Sequence, residues 1–186
     1  MQRYERYYRS LFAVALAINS SLDFKEVLLT VTLKATEALE VKGCSLRLLD
    51  RTEKQLLPSA SYGLSQKYMR KGSVEVEKSG VDREALAGNS VYIADVTTDE
   101  RFQYKEQARE EGIVSLLVLP LRAQKRNIGV LRFYSERPRE FDADEQEFAR
   151  SVAALSAVAL DNARLYQTLK RDYETQTSFE YRIFED

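Results

Sequence analysis

The chain has 186 residues, with 28 Lys and Arg against 29 Asp and Glu and a formal net charge of -1. That length fits one domain with helical extensions, and 44% hydrophobic residues support a core of its own and argue against a disordered chain. The two signs of charge are interspersed with no basic stripe, so nucleic-acid binding has no electrostatic support.

From the N-terminus, Tyr4, Tyr8, Leu11, Ala15 and Ile18 step by four and three, the spacing of one helical stripe. The apolar run 11–18 is far shorter than the ~20 residues a membrane span needs. It imitates a signal-peptide core, but tyrosines and charges recur ahead of it and no clean small-residue cleavage site follows. The expectation is a soluble, cytoplasmic protein without a membrane partner. Asn19, Ser20 and Ser21 break the stripe. Asp23, with Glu26 at the capping-box position, predicts a second helix to about Glu40 whose apolar face is Val27, Val31, Ala35 and Leu39.

Gly43 opens a strand in which Cys44, Leu46 and Leu48 alternate with Ser45, Arg47 and Leu49. The polar turn 50–54 returns the chain into a second strand, Gln55–Tyr62, ended by Gly63, which predicts an antiparallel hairpin. Residues 64–112 are mixed. Short helices are expected at 65–70 and 82–87, the latter capped by Asp82, with a brief strand at 91–93 and a loop at 95–101. A polar helix over 102–111, stopped by Gly112, completes the segment. A second hairpin follows, 114–121 and 127–135. The near-continuous apolarity of 114–119 predicts a central strand covered on both faces. Asp142 and Glu145 cap a last helix, on which Phe148, Val152, Leu155, Ala159, Asn162, Tyr166, Leu169 and Tyr173 keep a heptad-like step. The pattern is lost beyond Thr175.

Five of these pieces, in this order, resemble the GAF domain family over residues 22–166. They are LDFKEVLLTVTLKATEAL, GCSLRLLD with LPSASYGL, VDREALAGNSVYIADVTTDERF, SLLVLPLRAQKRNIGVLRFYS with Pro120 and Gly129, and FDADEQEFARSVAALSAVALDNARLYQ. The resemblance implies an α+β, profilin-like fold. Its antiparallel sheet has five or six strands, with helices from both chain ends on one face. The 64–112 segment closes a pocket on the other. It also implies small-molecule sensing or dimerisation, usually ahead of an effector domain. The organisation expected is an N-terminal helix at 1–21, the GAF domain at 22–166 and a helical extension or linker at 167–186.

The chemistry of the chain is narrow. One cysteine, Cys44, cannot form an internal disulfide or supply a thiolate cluster, and a reducing compartment is its natural setting. The chain contains no histidine, so it lacks the usual haem and zinc ligand and the commonest general base. Cyclic-nucleotide-binding members of the family carry an Asn-Lys…Phe…Asp-Glu pattern. Here Phe141 and Asp144-Glu145 stand beside Ser135-Glu136, and they serve more simply as staple and cap. Bilin attachment lacks its histidine, and methionine sulfoxide reduction needs a second cysteine. No serine has a base, so no catalytic residue, metal site or cofactor is expected.

The strand alternation allows a sharper expectation. With Cys44, Leu46, Leu48, Gly129, Leu131 and Phe133 on the helices, Ser45, Arg47, Val130, Arg132 and Tyr134 point to the covered face. Two arginines under a lid suit a carboxylate or phosphate. Tyr92, Asp95, Phe102 and Tyr104 are candidates to complete the site from the lid. The alternative is that the arginines lie at the rim and pair with Asp50, Glu136 or other local acids. For the terminal helices the expectation is a homodimer through Tyr4, Tyr8, Leu11, Val152, Leu155, Ala159, Asn162, Tyr166 and Leu169. Asn162 would set register; packing within a single chain is the alternative. Two functions follow: a ligand-responsive sensory module coupled to a downstream effector, or a ligand-free dimerisation scaffold.

Overall fold

The computed structural model of the protein describes residues 1–21 and 23–182, and their side chains except at 167, 172 and 174–182. In chain order the elements are α1 (Gln2–Ser20), α2 (Phe24–Leu39), β1 (Gly43–Leu49), β2 (Gln55–Tyr62), α3 (Gln66–Met69), β3 (Val74–Glu75), α4 (Gly80–Leu86), β4 (Val91–Ile93), α5 (Lys105–Glu111), β5 (Ser115–Ala123), β6 (Arg126–Ser135) and α6 (Ala143–Arg182). The six strands form one sheet in the order β3-β2-β1-β6-β5-β4. Every neighbouring pair is antiparallel. Both expected hairpins are present, and the chain's first long strand pairs with its last, Ser45 opposite Arg132 and Leu46 opposite Leu131. The short β3 has no counterpart in the sequence reading, because two residues are too few to show a period.

Two separate cores lie on the two faces of the sheet. On one, Cys44, Leu46, Leu117, Leu119, Leu131 and Phe133 meet Tyr7 and Val14 of α1, Leu28, Val31 and Leu39 of α2, and Phe148 and Val152 of α6. On the other, Leu56, Leu116, Val118, Val130 and Tyr134 meet Tyr68, Val74, Val81, Ala85, Phe102 and Ala108. β5 reads as an unbroken apolar run because each alternate residue has a core to enter. Gly129 lets β6 approach β1 closely: a Cβ there would lie 2.2 Å from the Arg47 carbonyl oxygen.

The helix ends follow local chemistry. Asp23 accepts from the Lys25 and Glu26 amides. Glu26, expected to accept from the Asp23 amide, instead accepts from the Ser21 hydroxyl. At α6 the box closes, with the Glu145 amide donating to Asp142 and the Asp142 amide donating to Glu145. Arg3 bridges Asp142 and Asp144 at 2.6 and 2.5 Å, tying the start of α1 to the start of α6.

The stripe of α1 that packs within the chain is not the one that carries Tyr4 and Tyr8. Tyr7, Ser10 and Val14 are the buried residues, with Tyr7 stacked on Phe148 at 4.4 Å between ring centroids. Tyr4 and Tyr8 are exposed, and Leu11 is half-buried. Polar Ser10, whose hydroxyl donates to the Lys34 carbonyl, hid the true stripe. On α6, Val152 and Ala159 are buried inside the domain, which corrects their assignment to an intersubunit seam, and Leu155 is half-buried. Asn162, Tyr166 and Leu169 are exposed. The helix has by then outrun the sheet that covers its first half. Of the expected extension, residues 183–186 lie outside the described residues.

Candidate functional site

The lid face carries polar groups where a core would be apolar. Ser45 and Arg47 leave β1 on that side, and Arg132 and Tyr134 leave β6 on the same side, as strand alternation requires. All four are buried, and Arg47 is 0% exposed. The Ser45 and Tyr134 hydroxyls share a 2.9 Å hydrogen bond.

The two arginines have opposite circumstances. Arg132 presents Nε and Nη2 to the two carboxylate oxygens of Asp82, with Nε to Oδ1 at 3.1 Å. Asp82 also accepts from the Ser79 hydroxyl at 2.5 Å. This pair is 2% and 0% exposed. Burial lowers the Arg132 pKa, and the Asp82 charge outweighs it, so the net direction is upward. The structure thus corrects two expectations: Asp82 is a buried ion-pair partner in the first turn of α4, not its cap, and neither Asp50 nor Glu136 is the acid that meets Arg132.

Arg47 has no such acid. Its Nη1 donates to the Leu56 carbonyl at a long 3.3 Å. Its Nε and Nη2 are buried with no partner in the protein. Burial, and then the neighbouring Arg132 charge, lower its pKa. The β1–β2 register shifts between Leu46 and Arg47, where Leu46 faces Ala60 and Arg47 faces Pro58, so the extra residue, Ser59, lies on β2 opposite this site.

Two lid residues absent from the sequence expectation complete the cluster. Tyr68 of α3 is 2% exposed, packs edge-on against Tyr134 at 5.9 Å, and its hydroxyl has no partner in hydrogen-bond geometry. Burial pushes its pKa up. Lys71 places Nζ 3.4 Å from the Tyr68 ring centroid and 5.5 Å from that of Tyr104. Burial, then repulsion from Arg47 and Arg132, pull its pKa down to about 6. The ring face acts the other way by favouring the charged form. Neither residue had a sequence signal beyond membership of the lid, because a four-residue helix shows no periodicity.

Tyr68 and Lys71 also line a surface cleft of about 530 Å³, with Ser65, Lys67, Gln107 and Glu111 among its other walls. The cleft lies between α3 and α5. Glu111 holds the two together by accepting from the Ser65 amide and hydroxyl at 2.8 and 2.5 Å. Tyr104 stands near, its hydroxyl donating to the Ser73 carbonyl.

The other lid candidates lie elsewhere. Tyr92 packs on the helix-side core, edge-on to Phe141 at 6.3 Å, because in β4 it alternates with the lid-facing Val91 and Ile93. Asp95 is held in its own turn by the Thr97 amide and hydroxyl. Phe102 is plain lid-side core. Cys44 is buried on the helix side, where desolvation pushes its thiol pKa up and leaves it unreactive. Among the described residues no group of three or more acids or cysteines gathers as a metal site. No helix among them is long and apolar enough to cross a membrane.

Comparison with known proteins agrees with this architecture. A family model described as GAF domain matches residues 21–161. The formate hydrogenlyase transcriptional activator FhlA of Escherichia coli is 24% identical over 171 residues, which cover 88% of this chain and 24% of that protein. The methyl sulfide methyltransferase-associated sensor of Methanosarcina acetivorans is 27% identical over 160 residues, covering 83% of this chain and 16% of the sensor. The chain therefore spans a quarter or less of these relatives. Among solved structures, the GAF domain of a phosphoenolpyruvate-protein phosphotransferase from Coxiella burnetii superposes with a TM-score of 0.78. It is 20% identical and covers 88% of this chain and 98% of that one. At that identity the likeness speaks for the fold.

Proposed function

We propose, from the premise that this chain belongs to the GAF domain family, that it is a non-catalytic sensory module. It binds a small anionic molecule under the lid and passes its occupancy to paired terminal helices. Homologous GAF domains serve sensors and regulators in signalling proteins, as the transcriptional activator and the sensor above illustrate. The observation that carries the ligand reading is Arg47: a buried guanidinium with two N–H groups unpartnered by the protein is costly unless something else meets it. The paired Arg132 beside it is the built-in contrast.

The terminal helices support the output side. Tyr8, Phe12 and Leu16 on α1, and Leu165, Tyr166 and Leu169 on α6, are large apolar side chains at 47% exposure or more. A groove of about 380 Å³, lined by Ile18, Phe24, Val27, Tyr166 and Leu169 among others, opens where α6 leaves the domain. A parallel homodimer would cover these faces in a four-helix arrangement. A reducing cytoplasm suits the single buried thiol, and an effector domain or protein would receive the signal. The second reading, a ligand-free dimerisation module, draws on the well-packed lid-side core.

Light scattering at several concentrations tests the pairing. The chain is expected to run as a dimer and Leu169→Asp as a monomer with an unchanged circular dichroism spectrum. A wild-type chain monomeric at every concentration contradicts it.

A further inference from the structure

The unpaired edge of Arg47 is specific about what it takes. Nε–H and the adjacent Nη2–H of a guanidinium point the same way, and together they fit the two oxygens of a planar carboxylate. The same pair of atoms on Arg132 already holds such a group, the carboxylate of Asp82. Arg47 offers that edge with no protein acid to meet it. The third unsatisfied donor in the cluster, the Tyr68 hydroxyl, lies on the lid over the same face of the sheet.

Charge narrows the class further. Arg47, Arg132 and Asp82 sum to one uncompensated positive charge in the buried cluster, and one monoanion cancels it. A dianion would leave a negative charge behind unless a proton came with it. Tetrahedral oxyanions also match the planar fork less well than a carboxylate.

We infer that Arg47 is the receptor group for a small monocarboxylate, held side-on by Nε and Nη2 with the Tyr68 hydroxyl as a further donor and entering through the α3–α5 cleft. The inference rests on the sensory reading above and names its ligand class. Tyr68 and Lys71 line the cleft, and Tyr68 packs on Tyr134 beneath it, so Tyr68 is the side chain that moves aside on entry. Burial and the two arginines lower the Lys71 pKa, which disfavours a second charge at the mouth of the site.

The test is thermal shift and calorimetry on the 186-residue chain with sodium formate, acetate, propionate and butyrate. Nitrate, sulfate and succinate serve as controls at constant ionic strength. At least one monocarboxylate is expected to raise the melting temperature in a saturable way and to bind at least tenfold more tightly than sulfate or succinate. Arg47→Met is expected to abolish the response. Tyr68→Phe, which keeps the ring, is expected to weaken it several-fold while the protein stays folded. If sulfate or nitrate binds as well as the carboxylates and Arg47→Met still abolishes it, the carboxylate assignment is overturned and the anion-sensing reading survives. If none of the anions shifts the wild type, both fall, and Arg47 is met by solvent alone in a dimerisation module.

Discussion

Arg132→Ala is expected to destabilise the domain by about 3–5 kcal/mol in urea unfolding, the cost of stranding one partner of a buried ion pair. Asp82 would remain 0% exposed with only the Ser79 hydroxyl to stabilise its charge. The pair also joins α4 to the centre of the sheet, so the lid loosens with it. The companion variant Arg132→Met/Asp82→Leu removes both charges and is expected to recover most of the loss, since a buried pair replaced by apolar groups is often neutral. A double-mutant cycle on the two positions measures the coupling directly. An Arg132→Ala variant as stable as wild type would mean that Asp82 is not held by Arg132.

Arg47→Met is expected to do the opposite, raising the stability of the ligand-free protein by about 1–3 kcal/mol, because it removes buried donors that the protein leaves unsatisfied. Methionine covers a similar length of chain and suits a lid-side core of Leu56, Val118 and Val130. The same substitution lifts Lys71 back toward its ordinary range, since the Arg47 charge is one cause of its depression. In the wild type the folded Lys71 releases its proton near pH 6 while the unfolded chain keeps it to the usual lysine range. Stability therefore rises with pH across that window and is lost as pH falls through about 6. In Arg47→Met the window narrows from its lower end. Two buried arginines on one sheet face thus give stability changes of opposite sign, the usual mark of a group kept for function at a cost in stability.

The sequence made the sheet legible and the lid much less so. Period-two alternation in β1 and β6 placed Ser45, Arg47, Arg132 and Tyr134 on one face, and the unbroken apolar run in β5 revealed that both faces are covered. The same rule puts Tyr92 on the helix side, whereas its position in the chain groups it with the lid. The role of Asp82 is not legible, because an acid in the first helical turn looks the same whether it caps the helix or meets a distant arginine. Tyr68 and Lys71 come from a stretch too short for any period to emerge. On α1, two stripes of similar spacing compete, and the one carrying polar Ser10 is the one that packs. Pairings between residues far apart in sequence, such as Arg132 with Asp82, are what a single sequence leaves unwritten.

The most direct measurement of the central claim is nitrogen-15 NMR of the arginine Nε–H groups in the full chain during titration with the monocarboxylate that gives the largest thermal shift. The account predicts two buried, slowly exchanging signals, lost singly in Arg47→Met and Arg132→Met/Asp82→Leu. The Arg47 signal should move to saturation while the Arg132 signal stays in place. Movement of Arg132 alone, or no movement of Arg47 at saturating carboxylate, would contradict it.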